Sequence, residues 1–260
     1  MRRLLHVAIV LAVCWPGASS CRAQTDPAGQ PAAATAEIRE DDRTAAPAAK
    51  TGAKDRAAAR AAEKAAAEAL QELGARLERN EEGEVVEVEA AGCKLSAVDL
   101  GRLTGLRRLY LENVGLDDAG LAALRGLTDL EVLSLGNNKI TGKGFARLGG
   151  LRHLEVLNLS RNPLGDEALP HVGRLTRLNT LSLADTKIRG AALVHLKPLA
   201  RLCVLNLDRC KIAGDDLAHL KGLDQLRMLY LRGCKVADDK VTELDDAVPG
   251  LSIYTSGDDE

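Results

Sequence analysis

Aromatic residues are almost absent. Of 260 residues one is Phe, one is Trp and three are Tyr, only 2% of the chain. A core must therefore be built from aliphatic side chains, and a groove of stacking rings for single-stranded nucleic acid is excluded. Charge of one sign is lacking too: a net charge of −2 creates no long-range field toward nucleic acid or an anionic membrane. The N-terminal apolar run, Leu4 to Trp15, falls short of the ~20 residues needed to span a bilayer. Catalytic signatures are missing as well. No G-x-S-x-G, H-E-x-x-H or Rossmann fingerprint occurs, and the stretch from Gly136 to Lys143 only begins like a phosphate loop. Thr141 stands where its second Gly is required, and Gly144 follows Gly142-Lys143 in place of the Ser or Thr that would hold magnesium. The expectation is a chain that is not an enzyme and takes no cofactor.

Cysteines number six, with no CxxC or His-paired spacing of the kind zinc needs. Cys14 and Cys21 belong to an N-terminal export region. There Arg2-Arg3 precede the apolar run, Pro16-Gly17 breaks it, and Ala18-Ser19-Ser20 follow, the layout of a secretory signal peptide. Two processing routes are open. Cleavage after Ser20 or Ala23 releases a periplasmic or secreted protein, the favoured reading, with a signal peptide over 1–23. Alternatively Ala18-Ser19-Ser20-Cys21 serves as a degenerate lipobox, Cys21 is lipidated, and the product is an envelope-anchored lipoprotein. Membrane contact is expected only in that second case.

Residues 24–54 are Ala, Pro, Thr and mixed charge, with Ile38 the one large aliphatic, and read as a disordered tether. From Asp55 the composition turns to helix formers that end near Gly74, a helix-stop position. Asn80-Glu81-Glu82-Gly83 then offers a hairpin turn. Residues 55–83 are expected to form a cap of helix and hairpin that covers the first unit of the larger C-terminal part of the chain.

That larger part is periodic. Leu106, Leu130, Leu154, Leu178, Leu202 and Leu226 recur every 24 residues, and each is followed by Leu at three and at five positions further on. A fourth aliphatic column runs Leu116, Ile140, Leu164, Ile188, Ile212, Val236, and two more apolar columns come later in each unit. The first unit, through Val85, Val88, Ala90, Cys93 and Leu95, is three residues short, and Val248, Leu251 and Ile253 close the array before the acidic tail 256–260. An alternating L-x-L makes a strand with one inward and one outward face. A single unit cannot bury its leucines, whereas stacked units share one core.

Over residues 84–255 this pattern resembles the leucine-rich-repeat family, of the ribonuclease-inhibitor-like kind found in exported bacterial proteins. The resemblance implies an α/β solenoid, with a curved parallel β-sheet on the concave side and short helices on the convex side. It also implies a side chain that bonds the turn after each strand, here Cys93, Val114, Asn138, Asn162, Thr186, Cys210 and Cys234. Val114 cannot bond, so the second unit's turn is expected to be looser. Cys210 and Cys234 sit about one strand spacing apart (~4.8 Å), within reach of a disulfide. In-register side chains point the same way, however, so free thiols are expected and a disulfide stays the alternative.

The resemblance further implies a protein partner, of unknown identity, on the concave sheet of a monomer. The outward central row contains Glu89, Tyr110, Ser134, Asn158, Ser182, Asn206 and Tyr230. Beside it lie Arg108, Val132, Val156, Thr180, Val204 and Met228 on one flank, and Glu112, Gly136, Ser160, Ala184, Asp208 and Arg232 on the other. Tyr and Arg are favoured at interface hot spots, so Arg108, Tyr110, Glu112, Ser134, Asn158, Ser160, Ser182, Asn206, Asp208, Met228, Tyr230 and Arg232 form the candidate binding set. Two other rows invite simpler readings. His171, His195 and His219 recur at one helix position and read as copied filler rather than a metal ladder. Lys94, Lys139, Lys187, Lys211 and Lys235 line one edge, as solubilising charge or, alternatively, for an anionic glycan or phosphate. A spacer that binds nothing specific is the competing reading for the whole array.

Overall fold

The computed structural model describes residues 53–93 and 99–255, with side chains described from residue 58 onward. The signal region, Cys21, most of the tether, Lys94 and the acidic tail lie outside the described residues. The chain divides into two compact units, Met1–Ala61 and Ala62–Glu260. Described residues of the first are helical, and the second holds the repeats. No helix of the described residues is long and apolar enough to cross a membrane.

Helix α1 (Ala53–Glu72) is a run of Ala, Glu, Lys and Arg with few β-branched residues, a composition that favours helix. It stops where Gly74 adopts φ +89, a left-handed conformation that glycine takes without a Cβ clash. The N–H of Gly74 then bonds Gln71 O and that of Ala75 bonds Leu70 O, at 2.9 Å each, so the last helical carbonyls are not orphaned. Ala66, Ala67 and Leu70 turn inward onto Ala75, Val85 and Val88. Glu63 Oε1 accepts the Val85 N–H at 3.0 Å, tying the helix to the first parallel strand.

Strands β1 (Arg76–Arg79) and β2 (Val85–Glu89) pair antiparallel through the turn at Asn80–Gly83. From β2 onward the strands are parallel. They are β3 (Arg108–Tyr110), β4 (Val132–Ser134), β5 (Val156–Asn158), β6 (Thr180–Ser182), β7 (Val204–Asn206), β8 (Met228–Tyr230) and β9 (Ser252–Tyr254), lying in sequence order in one nine-stranded sheet. Leu109 pairs with Leu133, Leu133 with Leu157, and so on by 24 residues through Leu229 and Ile253. The period in sequence is therefore the register in space, and the α/β leucine-rich-repeat solenoid expected from the columns is what forms. In the three leading leucine columns no side chain of units two to seven is more than 1% exposed. Only at the ends do members of the columns surface in part, among them Cys93, Val114, Leu116, Cys234 and Val236.

The convex connections are mostly tight 3-10 turns, such as Gly120–Leu124, Phe145–Leu148, Gly190–Leu196 and Gly214–Leu220, rather than α-helices. Twenty-four residues leave little chain for the return path, and the tighter helix fits it. Adjacent returns approach closely. A Cβ on Gly144 would stand 2.6 Å from Asp118 O, so only glycine fits.

Candidate protein-binding face

Each strand ends in a bend, and the bend is the same in every unit. Gly92, Asn113, Asn137, Arg161, Asp185, Arg209 and Gly233 occupy equivalent places with positive φ, and the five non-glycine residues fall between +55 and +57. Left-handed backbone is uncommon for Arg, and the columns of apolar residues give no hint of it. Beneath the bends the side chains of the Asn/Cys position hold the turns. Asn138 Nδ2 donates to Leu111 O (2.7 Å), Leu135 O (3.0 Å) and Gly136 O (3.2 Å), while its Oδ1 accepts the N–H of Val114 and Leu116 at 3.1 and 3.0 Å. Asn162 repeats this on Leu135 O, Leu159 O, Ser160 O and the Ile140 N–H.

This arrangement corrects one expectation. The turn at Val114 is not looser: Asn113 has φ +55 like its counterparts, and the asparagine that bonds this turn belongs to the next unit. In the later units weaker groups stand in. The Thr186 hydroxyl and the Cys210 thiol both donate to Leu183 O, at 2.7 and 3.1 Å, and Cys234 Sγ donates to Leu207 O at 3.2 Å. Cys210 and Cys234 are free thiols. Burial, reinforced by the neighbouring Cys210, pushes the Cys234 thiol up to about 11, and burial likewise raises Cys210. Both are therefore protonated donors at neutral pH.

With strand exits fixed, the outward rows fall into three zones. At the N-terminal end Arg108 is ion-paired to Glu87 and, at 3.5 Å, to Glu78. Tyr110, in register with Glu89, is raised to about 12, first by burial and then by Glu87. In the middle, Glu112 Oε1 accepts from Ser134 Oγ (2.6 Å) and Asn158 Nδ2 (3.4 Å), and Asn158 Nδ2 also donates to Ser134 Oγ (3.0 Å). Asn158 Oδ1 in turn accepts the N–H and hydroxyl of Ser160 at 3.0 and 2.7 Å. One chain of hydrogen bonds thus crosses three units. At the C-terminal end Tyr230 stacks on Tyr254 with centroids 4.6 Å apart and planes 12° from parallel, and its hydroxyl lies 3.8 Å from Met228 Sδ. Asp208 Oδ1 accepts the Arg232 N–H at 2.8 Å; burial raises this carboxyl, partly offset by that bond.

The candidate set of twelve is therefore brought onto one sheet, but not with the exposure expected. Tyr110 and Tyr230 are only 5% and 4% exposed, so neither ring protrudes to grip a partner. Ser134 and Ser182 are also buried, while Glu112, Asn158, Ser160, Asn206, Asp208, Met228 and Arg232 keep partial exposure. Two features of the face escaped the sequence. Tyr254 lies 24 residues beyond Tyr230, so the period could have found it. Glu78 faces the array only because β1 folds back on β2, and no repeat signal marks that. Of the simpler rows, Lys139, Lys187, Lys211 and Lys235 are exposed along the strand-exit edge. His195 is exposed and His171 and His219 half-buried on the convex side. Among the described residues no group of three or more His, Cys, Asp or Glu side chains is placed to hold a metal.

Residues 104–164 match the family model described as Leucine rich repeat. No match is found among curated proteins. Among solved structures, internalin C2 of Listeria monocytogenes is similar at 18% identity, covering 76% of this chain and 92% of that one, with a TM-score of 0.49. A leucine-rich-repeat protein of Leptospira interrogans is similar at 18% identity over 59% of this chain, with a TM-score of 0.46, and this chain covers 44% of that protein's length. A second Listeria internalin is similar at 19% identity, covering 62% of this chain and 57% of that one, with a TM-score of 0.38. The fold itself rests on the strand register and the buried columns rather than on these likenesses.

Proposed function

We propose that this chain, a leucine-rich-repeat protein, is a non-enzymatic module that binds a protein partner through its concave sheet at a bacterial cell envelope. Leucine-rich-repeat domains generally act in protein–protein interaction. The observation that carries the reading here is the hydrogen-bonded row Glu112–Ser134–Asn158–Ser160, part-exposed at the middle of the sheet. Side chains fixed before binding lose little freedom on complex formation, and such preorganisation favours affinity. Eight parallel strands at ~4.8 Å give a face about 34 Å long, enough for an interface of standard size. Glu112, Asn158, Ser160, Asn206, Asp208, Met228 and Arg232 are the residues assigned to the contact, with Arg108, Tyr110, Ser134, Ser182 and Tyr230 holding them in place.

The envelope location follows from the signal-like segment 1–23, with release to the periplasm or medium, or anchoring through lipid on Cys21. The tether 24–54 then carries the cap 55–83 and the solenoid 84–255, acting as a monomer. The test is affinity capture from an envelope extract with the full processed chain as bait, beside an Asn158→Arg variant shown by circular dichroism to be folded. A partner held by the parent and lost by the variant supports a concave binding face. Identical captures with both baits contradict it and leave a spacer, or the lysine edge, as the working element.

A further inference from the structure

The two long rims of the solenoid carry charge differently. On the rim where the chain leaves the strands, acids stand among the cations: Lys139, Lys187, Lys211 and Lys235 have no ion pair among the described residues, but three arginines are neutralised. Arg161 and Arg209 both meet Asp185, at 3.9 and 3.1 Å, and Arg189 meets Asp166 at 3.0 Å. On the rim where the chain enters the strands, three consecutive units present Arg152, Arg174, Arg177, Lys197 and Arg201, all exposed. None of these five has an ion pair among the described residues, and the one polar side-chain contact is Arg177 Nη1 to His153 Nδ1 at 2.9 Å. In the strand-entry segments that carry them, 149–155, 173–179 and 197–203, Glu155 is the one carboxylate, and acids return in the flanking units with Asp129 and Glu131 before it and Asp224 after it. In a chain of net charge −2 this is a local concentration of unneutralised cations, which repel one another and support nothing else in the fold.

We infer that this rim binds a linear anionic polysaccharide. Four of the five cations are Arg, whose planar fork matches the paired oxygens of carboxylate, sulfate or phosphate. His153, Arg177 and Arg201 share one repeat position, so they recur at about the strand spacing of 4.8 Å and form a line suited to an extended polymer. Other polyanions lack what they need here. The large hydrophobic side chains exposed among the described residues are Leu73 and Val194, neither on this rim, so an acidic peptide finds no apolar anchor and a membrane nothing to take up. Phe145 is buried and no further Phe, Trp or Tyr occurs before Tyr230, so the imidazole of His153 is the one ring this rim offers a nucleobase. A charged, hydroxyl-rich chain asks for neither.

The experiment uses the full chain and immobilised alginate, dextran sulfate and uncharged dextran, with poly-glutamate and phosphatidylglycerol vesicles alongside. Binding to one or both charged polysaccharides and not to dextran is expected, weakening steeply between about 50 and about 200 mM salt. Alginate against dextran sulfate separates carboxylate from sulfate as the preferred anion. An Arg174→Glu/Arg177→Glu/Arg201→Glu variant should lose at least about tenfold in affinity, whereas Lys139→Glu/Lys187→Glu/Lys211→Glu on the opposite rim should retain it. If the triple variant melts early, the milder pair Arg177→Gln/Arg201→Gln should still lose about threefold. No binding by the parent, equal loss from the opposite rim, or equal binding to poly-glutamate or vesicles overturns the inference. The concave-face substitution Asn158→Arg should leave polysaccharide binding unchanged, which separates this site from the protein-binding reading.

Discussion

The turns of the early units and those of the late units make one bend from different chemistry. Asn138 and Asn162 each donate to three carbonyls and accept backbone N–H groups of the preceding unit. Cys210 and Cys234 occupy the same position with a single sulfur, donating to Leu183 O and Leu207 O. Yet the bend residues Asn137, Arg161 and Arg209 share φ within +55 to +57. The shape of the turn is therefore set by stacking on the leucine columns, and the ladder residue contributes stability. Val114 is the limiting case. It bonds nothing through its side chain, and its own N–H is taken up by Asn138 from the following unit. Each turn is a joint product of two units, which is why one unit alone cannot be expected to hold it.

The largest expected effect breaks the ladder where it is strongest. Asn162→Ala leaves Leu135 O, Leu159 O and the Ile140 N–H without this partner in a buried setting, and should cost about 3 kcal/mol of unfolding free energy. Cys210→Ala removes two weak thiol contacts, to Leu183 O and to the Thr186 hydroxyl, and should cost about 1 kcal/mol. Urea unfolding followed by circular dichroism measures both, and equal losses would erase the distinction between the two halves.

A smaller effect lies between the convex returns. Asp118 accepts from the Thr141 hydroxyl (2.5 Å) and from the N–H of Gly142 and Gly144 (3.1 Å each). Burial alone would raise its carboxyl, but these bonds outweigh burial and hold it below the ordinary range. Its stabilisation is then complete above the unfolded value of about 3.9 and is lost as pH falls through the lower folded value. An Asp118→Asn variant should accordingly be less stable than the parent at pH 7, by less than the Asn162 variant, and the gap should close below about pH 4. A gap independent of pH would mean that charge at Asp118 is irrelevant.

Register, core and outward rows were legible because one number, 24, fixes all three. Once Leu109 pairs with Leu133, every side chain's face follows. Features set by anything other than that number were harder to see. Tyr110 and Tyr230 occupy the expected row, but their burial depends on what surrounds them: Arg108 and Glu87 around one, Tyr254 against the other. The firmness of the Val114 turn depends on a donor and acceptor one unit away. The basic rim is hidden for a related reason. Arg152, Arg174 and Lys197 fall in different repeat columns, so a reading down columns passes over a patch that only adjacency in space assembles.

The most direct test of turns held across units is amide hydrogen exchange on the unmodified protein, comparing Ile140 with Ile212. The Ile140 N–H donates to Asn162 Oδ1 at 3.1 Å, while the equivalent Ile212 N–H meets the sulfur of Cys234. The expected result is exchange about tenfold slower at Ile140 than at Ile212, the size of one modest hydrogen bond. Equal rates, or slower exchange at Ile212, would contradict the claim that side chains of the following unit secure each turn.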